Sequence, residues 1–169
     1  MQVARRERAR IGERVRSTSQ EPVPTVRPMD IRVAAVEPSL TAVVVVEPMD
    51  LSRFMACYDT VYAFLRGGTD VKQRGQNIAR YDRGQRMEVG VEVDRSFDPA
   101  GLVVPSRLPG GRIAHATHTT GYGDLGRTYD AVSQWCDANG HETAGIQWEI
   151  YSDPNEHGHV DVEICYLLA

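Results

Sequence analysis

The chain has few of the residues that would point to several large classes of protein. It has only three cysteines, Cys57, Cys136 and Cys165, without paired or metal-type spacing, so we expect buried thiols of a reducing compartment, the cytoplasm. The longest aliphatic run, residues 42–46, has the length of a strand and is far too short to span a membrane. No apolar run follows the arginine-rich start, so we expect neither a signal peptide nor an association with a membrane.

Motifs for common kinds of chemistry are also missing. Gly110 and Gly111 do not follow the strand–helix pattern of a phosphate-binding loop, and no nucleophile elbow is present. His157 and His159 would share one strand face, but a zinc site needs three or four convergent ligands and only two can be named. We therefore expect neither a metal nor a cofactor.

Positive charge is scarce outside the N-terminal segment. Residues 1–28 carry a net charge of +4 and the remainder carries −8, which gives the chain its net charge of −4. An acidic body argues against nucleic acid as a direct ligand and mildly favours cationic ligands. The basic, proline-containing segment 1–28 has little to bury, so we predict a disordered tail. A basic arm that touches nucleic acid is the alternative, although a helix-turn-helix domain does not fit into this length.

What the chain does contain is a repeat. Matched residues occur in the same order in two copies: Tyr58, Asp59, Gly75 and Tyr81 in the first, and Tyr129, Asp130, Gly145 and Tyr151 in the second. In both copies the tyrosine follows the glycine by six residues. Periodicity on this scale indicates two supersecondary units that bury their faces against each other. We place the pseudo-repeats at about residues 29–98 and 102–169.

Hydrophobic periodicity predicts the order strand, helix, strand, strand in each copy. In the first copy, two strand segments broken by a kink at Pro38 precede a helix over residues 51–65, which Gly67 and Gly68 end. Strands at 78–81 and 87–93 follow. The second copy has strands at 102–108, 112–117, 145–151 and 159–168 and a helix over 125–136. We therefore predict an α+β fold, an antiparallel-rich sheet with both helices on one side and a central cleft.

The two copies differ at one informative position. Two residues before the second tyrosine, the first copy has Ala79 and the second has Glu149. Strand alternation places Glu149 on one face with Gln147 and Tyr151, and Trp148 on the opposite, core face. A carboxylate in one half of a pseudo-symmetric core is a candidate site. The alternative is an exposed glutamate on a solvated sheet surface, because glutamate is almost never fully buried.

Several motifs of the second half resemble those of a known family. They are RIA at residues 112–114, TGYGDL at 120–125, Tyr129, Trp135, and WEIYSDP at 148–154. They resemble the GyrI-like effector-binding domains, which include gyrase-inhibitory proteins and the ligand-binding halves of many MerR- and AraC-type regulators. The resemblance covers about residues 30–169 and implies a duplicated strand-helix-strand-strand fold. One departure is Thr120, which stands where the family usually has glycine.

The resemblance implies a ligand cavity between the two halves, with Glu149 at its bottom and aromatic walls. Such cavities bind small, mostly apolar, often cationic molecules. A buried glutamate must be paired with a cation, hydrogen-bonded or protonated, because burying a bare carboxylate is costly. A cationic ligand would supply the partner, and tyrosine faces would add cation–π attraction.

Two of the tyrosines are the best candidates for the cavity wall. Tyr122 is at a loop-to-helix junction, and Tyr151 is beside Glu149. The predicted ligand-binding set is Glu149, Tyr151, Tyr122, Tyr81, Trp135 and Tyr62. Trp135 fits either the core or the cavity wall. For the matched pair Tyr58 and Tyr129 we expect packed residues with satisfied hydroxyls.

The resemblance to the GyrI-like family implies three possible functions. The first is a stand-alone effector-binding domain for small hydrophobic, often cationic molecules, acting in drug sensing, sequestration or transcription regulation through a partner chain. The second is a hydrolase that opens strained, cyclopropane-type rings, with Glu149 as general base or acid and Tyr122 or Tyr151 as an orienting or donating group. The third is an interaction protein that modulates DNA gyrase. We prefer binding, because catalysis needs the same site and, in addition, a correctly placed water and acid.

Overall fold

The computed structural model describes residues 29–83, 85–119 and 122–169, and of Tyr122 the backbone alone. The segment 1–28, for which the sequence predicts disorder, lies outside the described residues. Within the described residues, eight strands form one antiparallel sheet that carries two α-helices. This confirms the predicted α+β fold. Neither of these helices combines the length and the apolar character that crossing a lipid bilayer requires.

The helices and strands alternate along the chain in two similar series. Their order is β1 (Arg32–Val36), β2 (Ser39–Val46), α1 (Phe54–Arg66), β3 (Gln73–Asp82), β4 (Arg86–Val93), β5 (Val103–Leu108), β6 (Gly111–His118), α2 (Leu125–Ala138), β7 (Thr143–Tyr151) and β8 (Val162–Leu168). Short 3-10 turns, Leu51–Arg53 and Tyr122–Asp124, precede the helices. Asp50 caps the first turn, because its Oδ1 accepts a hydrogen bond from Ser52 N at 3.0 Å.

The order of the strands across the sheet shows the pseudo-symmetry directly. It is β1-β6-β8-β7-β3-β4-β2-β5, so each unit contributes three adjacent strands and the two units meet where β7 pairs with β3. The leading strand of each unit pairs with the other unit, β1 with β6 and β5 with β2. The sequence predicts two segments on either side of a kink at Pro38, but it does not predict this exchange. At Pro38 the chain passes so close to Gly110 that a Cβ on the glycine would lie 2.6 Å from Pro38 Cδ.

Both helices cover the same face of the sheet. One row of residues on this face runs across six strands in the order Val44, Val89, Ala79, Glu149, Ile164 and Ala116. Helix α1 contacts β2 and β4, and α2 contacts β6 and β8, so the middle of the row lies between the helices. On the opposite face, Trp148 is buried with Ile78 and Cys165. The central strands are therefore buried on both faces.

The matched glycines of the repeat lie at irregularities of the two central strands. The register of β3 with β4 shifts around Gly75, and the register of β7 with β8 shifts around Gly145. Gly145 has a φ of +77°, a backbone conformation that residues other than glycine rarely adopt. A bulge of this kind bends a strand and increases its twist. The two glycines thus shape the strands that carry Tyr81 and Tyr151 further along.

Candidate ligand-binding site

Glu149 lies at the centre of the sheet, where β3 pairs with β7. Its direct cross-strand partner is Ala79, the residue that occupies the matched position in the first unit. Glu149 is 4% exposed and Ala79 is fully buried, so this glutamate is not on a solvated sheet surface. The sequence mismatch is therefore a pair of neighbours, in which the small alanine leaves space beside the carboxylate.

Three tyrosine hydroxyls donate hydrogen bonds to the Glu149 carboxylate. Tyr129 donates to Oε1 at 2.7 Å, Tyr81 donates to Oε2 at 2.9 Å, and Tyr151 also donates to Oε2. Burial of the three phenols, together with the nearby charge of Glu149, raises the pKa of each above its ordinary value of 10.0. The hydroxyls therefore stay protonated and act as donors over the physiological pH range.

The hydrogen bonds leave Glu149 with capacity for one more partner. A carboxylate offers about four acceptor positions, two on each oxygen. Tyr81 and Tyr151 take both positions on Oε2, and Tyr129 takes one on Oε1. In the part of the chain that the structure describes, no ion pair includes Glu149. The carboxylate is thus held by neutral donors, and its negative charge is not cancelled.

A cavity of about 660 Å³, the main cavity, opens above Glu149 between the N-terminal ends of the two helices. Besides the glutamate and its three tyrosines, it is lined by Met49, Leu51, Phe54, Met55, Leu125, Gly126, Gln147 and Tyr166. Met49, Leu51 and Met55 are exposed. An apolar and aromatic wall around one carboxylate suits a ligand with a large apolar surface and a positive charge.

A second space, the side chamber, adjoins the main cavity. It has a volume of about 430 Å³ and shares Phe54, Met55 and Tyr151 with the main cavity. The rings of Phe54 and Tyr151 meet edge to face with centroids 6.0 Å apart, and they form the partition between the two spaces. Tyr62 lines the side chamber, where its hydroxyl donates to Asn77 Oδ1 at 2.5 Å.

The structure brings most, but not all, of the predicted binding residues together. Glu149, Tyr151 and Tyr81 meet in the main cavity, and Tyr62 reaches the side chamber. The side chain of Tyr122 lies outside the described residues. These placements describe where the side chains are, and their roles in binding remain predictions.

Trp135, which the sequence predicts as a ligand-binding residue, lines neither the main cavity nor the side chamber. Its ring stacks on His141 with centroids 5.4 Å apart, and it packs against the cluster that contains Val132 and Cys136. The reason is its position on α2. Leu125 and Tyr129, in the first turns of the helix, border the cavity, whereas Trp135 lies near the other end.

Tyr129 is the site residue that the sequence did not single out. Tyr58 and Tyr129 are matched, and both were expected to be packed residues with satisfied hydroxyls. Tyr58 follows that expectation and donates to the backbone oxygen of Ile78 at 3.0 Å, whereas Tyr129 donates to Glu149. One feature of the sequence could have pointed to Tyr129 as a site residue, because Tyr129 and Glu149 belong to the same unit of the repeat. The different acceptors arise only when helix and strand are packed.

In the part of the chain that the structure describes, the histidines do not form a metal site with their neighbours. Among the described residues, no group of three or more His, Cys, Asp or Glu side chains could hold a metal ion. His157 and His159 are exposed, with ring centroids 6.4 Å apart. His118 is buried, and its Nδ1 lies 2.8 Å from Thr128 Oγ1.

Fold and cavity together define a duplicated α+β module that encloses a site for a small molecule. The model of the GyrI-like family, described as a GyrI-like small molecule binding domain, matches residues 80–168. This is more than half of the chain, so the chain belongs to the GyrI-like family, as its motifs predict. No match was found among curated protein sequences.

Solved structures with the same fold include a domain of EcmrR, the protein SAV2435 and a hydrolase. The C-terminal domain of EcmrR is 13% identical, with a TM-score of 0.73 over 83% of this chain and 98% of that domain. SAV2435 bound to tetraphenylphosphonium is 12% identical, with a TM-score of 0.63 over 83% and 94% of the two chains. A hydrolase from Listeria innocua is 11% identical, with a TM-score of 0.55 over 83% and 92%. At these identities the likeness concerns the fold.

EcmrR also bears on the predicted partners. In a complex of EcmrR with DNA, the match has a TM-score of 0.71 and covers 57% of the EcmrR chain. The expectation that nucleic acid is excluded is therefore not supported. What stands is that this chain contains a GyrI-like small-molecule-binding domain and shares its fold with the C-terminal domain of EcmrR.

Proposed function

We propose that the domain binds lipophilic cations in the main cavity, with Glu149 as their counter-ion. The observation that carries this proposal is a buried carboxylate, held by three neutral hydroxyls, at the floor of an apolar cavity. Keeping such a charge out of water costs several kcal/mol, on the order found for buried ions. A bound cation would recover part of that cost, because its charge would meet the open position on Oε1.

The aromatic lining favours the same class of ligand. A cation over an aromatic face gains about 0.5–2 kcal/mol, and the main cavity offers the rings of Tyr81, Tyr129 and Tyr151. Phe54 and the exposed Met55 add apolar surface that can adapt to different shapes. SAV2435, a fold neighbour, was solved with the lipophilic cation tetraphenylphosphonium, which supports this choice of ligand.

The biological use of such binding would be drug sensing, sequestration or the control of transcription through a partner. The related EcmrR domain belongs to a longer chain that has been solved on DNA, which supports a regulatory role. The gyrase-modulating alternative stays a prediction from the sequence, since nothing in the described part of the chain favours it over binding.

Calorimetric titration with tetraphenylphosphonium tests the proposal. We expect Glu149→Gln to weaken binding at least tenfold, about 1.4 kcal/mol, because the amide keeps the size of the side chain but removes its charge. Glu156→Gln is the matched control, since it removes the same charge from a side chain that is 87% exposed and lines neither cavity. Equal affinities of wild type and Glu149→Gln, or equal losses in both variants, would contradict the proposal.

A second candidate function is hydrolysis of strained, cyclopropane-type electrophiles. The open acceptor position on Glu149 Oε1 favours it, because an ordered carboxylate with a free lone pair can take a proton from water. The water oxygen would bond to one ring carbon while the strained C–C bond breaks, and the other carbon would receive a proton, for which Tyr151 or Tyr122 is the candidate donor. The Listeria innocua hydrolase shows that this fold also occurs among hydrolases.

Turnover separates the two functions. The protein is incubated with a cyclopropane-containing alkylating compound, and the ring-opened product is measured by mass spectrometry. Product above the uncatalysed rate with wild type, and its loss in Glu149→Gln, would support catalysis. Product at the uncatalysed rate together with tight binding of cations would leave binding as the function.

A further inference from the structure

The side chamber contains a second carboxylate whose charge is not cancelled. Asp153 follows the end of β7 and lines this chamber together with the amides of Gln73, Gln76 and Asn77. Neither Lys nor Arg is among the residues that line the chamber. In the described part of the chain, no ion pair includes Asp153. The chamber is therefore polar and negative on one side, whereas its partition from the main cavity is aromatic.

The pseudo-symmetric counterpart of the side chamber does not have an aspartate at the position of Asp153. A matched space of about 270 Å³ lies at the other end of the central strands and is lined by Tyr81, Arg83, Thr143 and Gly145 among others. Arg83 occupies the position that corresponds to Asp153, because each follows the matched tyrosine by two residues. Its Nη2 donates to Thr143 O at 3.1 Å, and its side chain covers Gly145. The matched space therefore has an arginine where the side chamber has Asp153, and its own carboxylate, Asp82, is paired with Arg80.

The spacing of the two carboxylates sets a length for a ligand. Glu149 and Asp153 are four residues apart, and the backbone is still paired at Ser152, whose N–H donates to Asp161 O at 2.9 Å. At the rise of an extended backbone, the Cα atoms of two residues four positions apart lie about 13 Å from each other, which is our estimate for the spacing of the two charges. Between the two carboxylates lies the partition of Phe54 and Tyr151, next to the exposed Met55. A molecule that contacts both carboxylates must therefore pass the rings of Phe54 and Tyr151, which line both spaces.

We propose that the preferred ligands are elongated dications, with an apolar cationic end over Glu149 and a second, smaller cationic group at Asp153 in the side chamber. This inference rests on the proposed function, because it requires that Glu149 holds the first charge. Asp153 is exposed, so water and salt weaken its attraction for a cation, and we expect the second charge to tighten binding only about three- to fivefold.

The test uses alkanes of increasing length that carry triphenylphosphonium at one end and trimethylammonium at the other. The matched monocations carry a tert-butyl group in place of trimethylammonium, which has the same shape without the charge. Affinities are measured by calorimetry at low ionic strength. We expect each dication to bind more tightly than its monocation, with the largest ratio when the two charges are about 13 Å apart.

Variants locate the second subsite. Asp153→Asn should bring the ratio of dication to monocation affinity to about one, and Glu156→Gln should preserve the ratio of the wild type. The inference is overturned if dications and monocations bind equally at every length, if Asp153→Asn keeps the advantage, or if it weakens both ligands alike. In those cases the monocations still bind and the proposed function stands. If no monocation binds, the proposed function itself fails.

Discussion

Glu88 and Glu149 are buried to the same extent, 3% and 4% exposed, on opposite faces of one sheet. Their surroundings differ completely. Glu88 accepts hydrogen bonds from Arg86 at 2.7 Å and from Ser106 at 2.6 Å, and Arg80 Nη1 lies 3.7 Å from its Oε2. Glu149 accepts hydrogen bonds from three tyrosines and has no ion pair among the described residues. The first carboxylate is neutralised in place, and the second is fixed in position with its charge still available.

This difference separates a structural charge from a candidate binding charge. Arginines satisfy both the charge and the lone pairs of Glu88, so that a ligand has nothing to add there. Tyrosines satisfy only the lone pairs of Glu149, and the cavity above it leaves room for a cation. Burial alone therefore identifies neither role, and the nature of the donors decides between them.

The largest loss of stability is expected when the two arginines that neutralise Glu88 are replaced. The double variant Arg80→Met, Arg86→Met leaves Glu88 with Ser106, and removing the partners of a buried charge costs about 3 kcal/mol or more. Urea denaturation should show this loss in the free energy of unfolding. Adding Glu88→Met should restore much of it, because the stranded charge is gone.

Arg95→Met is a control for that experiment. Arg95 pairs with Asp94 at the surface, and its side chain is 58% exposed, so we expect only a small loss of stability, because solvent screens the pair. A double variant that is no less stable than this control would show that Glu88 does not depend on its arginines.

A smaller effect distinguishes the matched tyrosines. Tyr129→Phe removes a hydrogen bond to a carboxylate, worth about 2 kcal/mol, whereas Tyr58→Phe removes a bond to the backbone oxygen of Ile78, worth about 1 kcal/mol. Both substitutions delete one hydrogen-bonded hydroxyl at matched positions, so each is the control for the other. Equal losses in urea denaturation would mean that the charge of Glu149 adds nothing to the bond.

The smallest difference is expected between Glu149→Gln and the wild type, in how steeply their stability falls at high pH. The pKa values of Tyr81, Tyr129 and Tyr151 are raised above 10.0, and burial raises the pKa of Tyr166 to about 12. Above pH 10 the unfolded chain loses these protons while the folded protein keeps them. The contribution of the four tyrosines to the free energy of unfolding is therefore fully present below pH 10 and is lost as the pH rises. We expect Glu149→Gln to reduce the slope of this fall, because the charge that helps to raise three of the pKa values is gone.

Urea midpoints at neutral pH and at about pH 11 measure this slope. The stability of Glu156→Gln, a substitution in an exposed connection, should fall as steeply as that of the wild type. A slope that is the same in Glu149→Gln and the wild type would show that burial alone holds the phenols protonated.

Features that depend on the local order of residues could be predicted from the sequence. The helix α1 was predicted within about three residues at its start, because its apolar residues follow helical spacing and Gly67 ends it. The mismatch between Ala79 and Glu149 could be found because six residues separate glycine and tyrosine in both copies. Its position at the centre of the sheet required the pairing of β3 with β7, which spans about 70 residues of sequence.

Features that depend on non-local contacts could not be predicted. The exchange of β1 and β5 between the units is one, because several antiparallel partners fit a short apolar strand equally well. The acceptor of the Tyr129 hydroxyl is another, since it depends on how α2 sits over β7. Trp135 fitted both core and cavity wall, and its stacking on His141 is a contact with the segment that follows the helix.

The pairing of Ala79 with Glu149 places the carboxylate beside the pseudo-two-fold axis itself, where a residue faces its own counterpart. In a dimer of two identical units, a glutamate at this position would face a second glutamate, with Cβ atoms about 5 Å apart, and like charges in direct opposition destabilise a sheet. A single negative charge at this point requires two units of different sequence. Joining both units in one chain allows that difference, so covalent fusion is what permits a symmetric framework to hold an asymmetric charge.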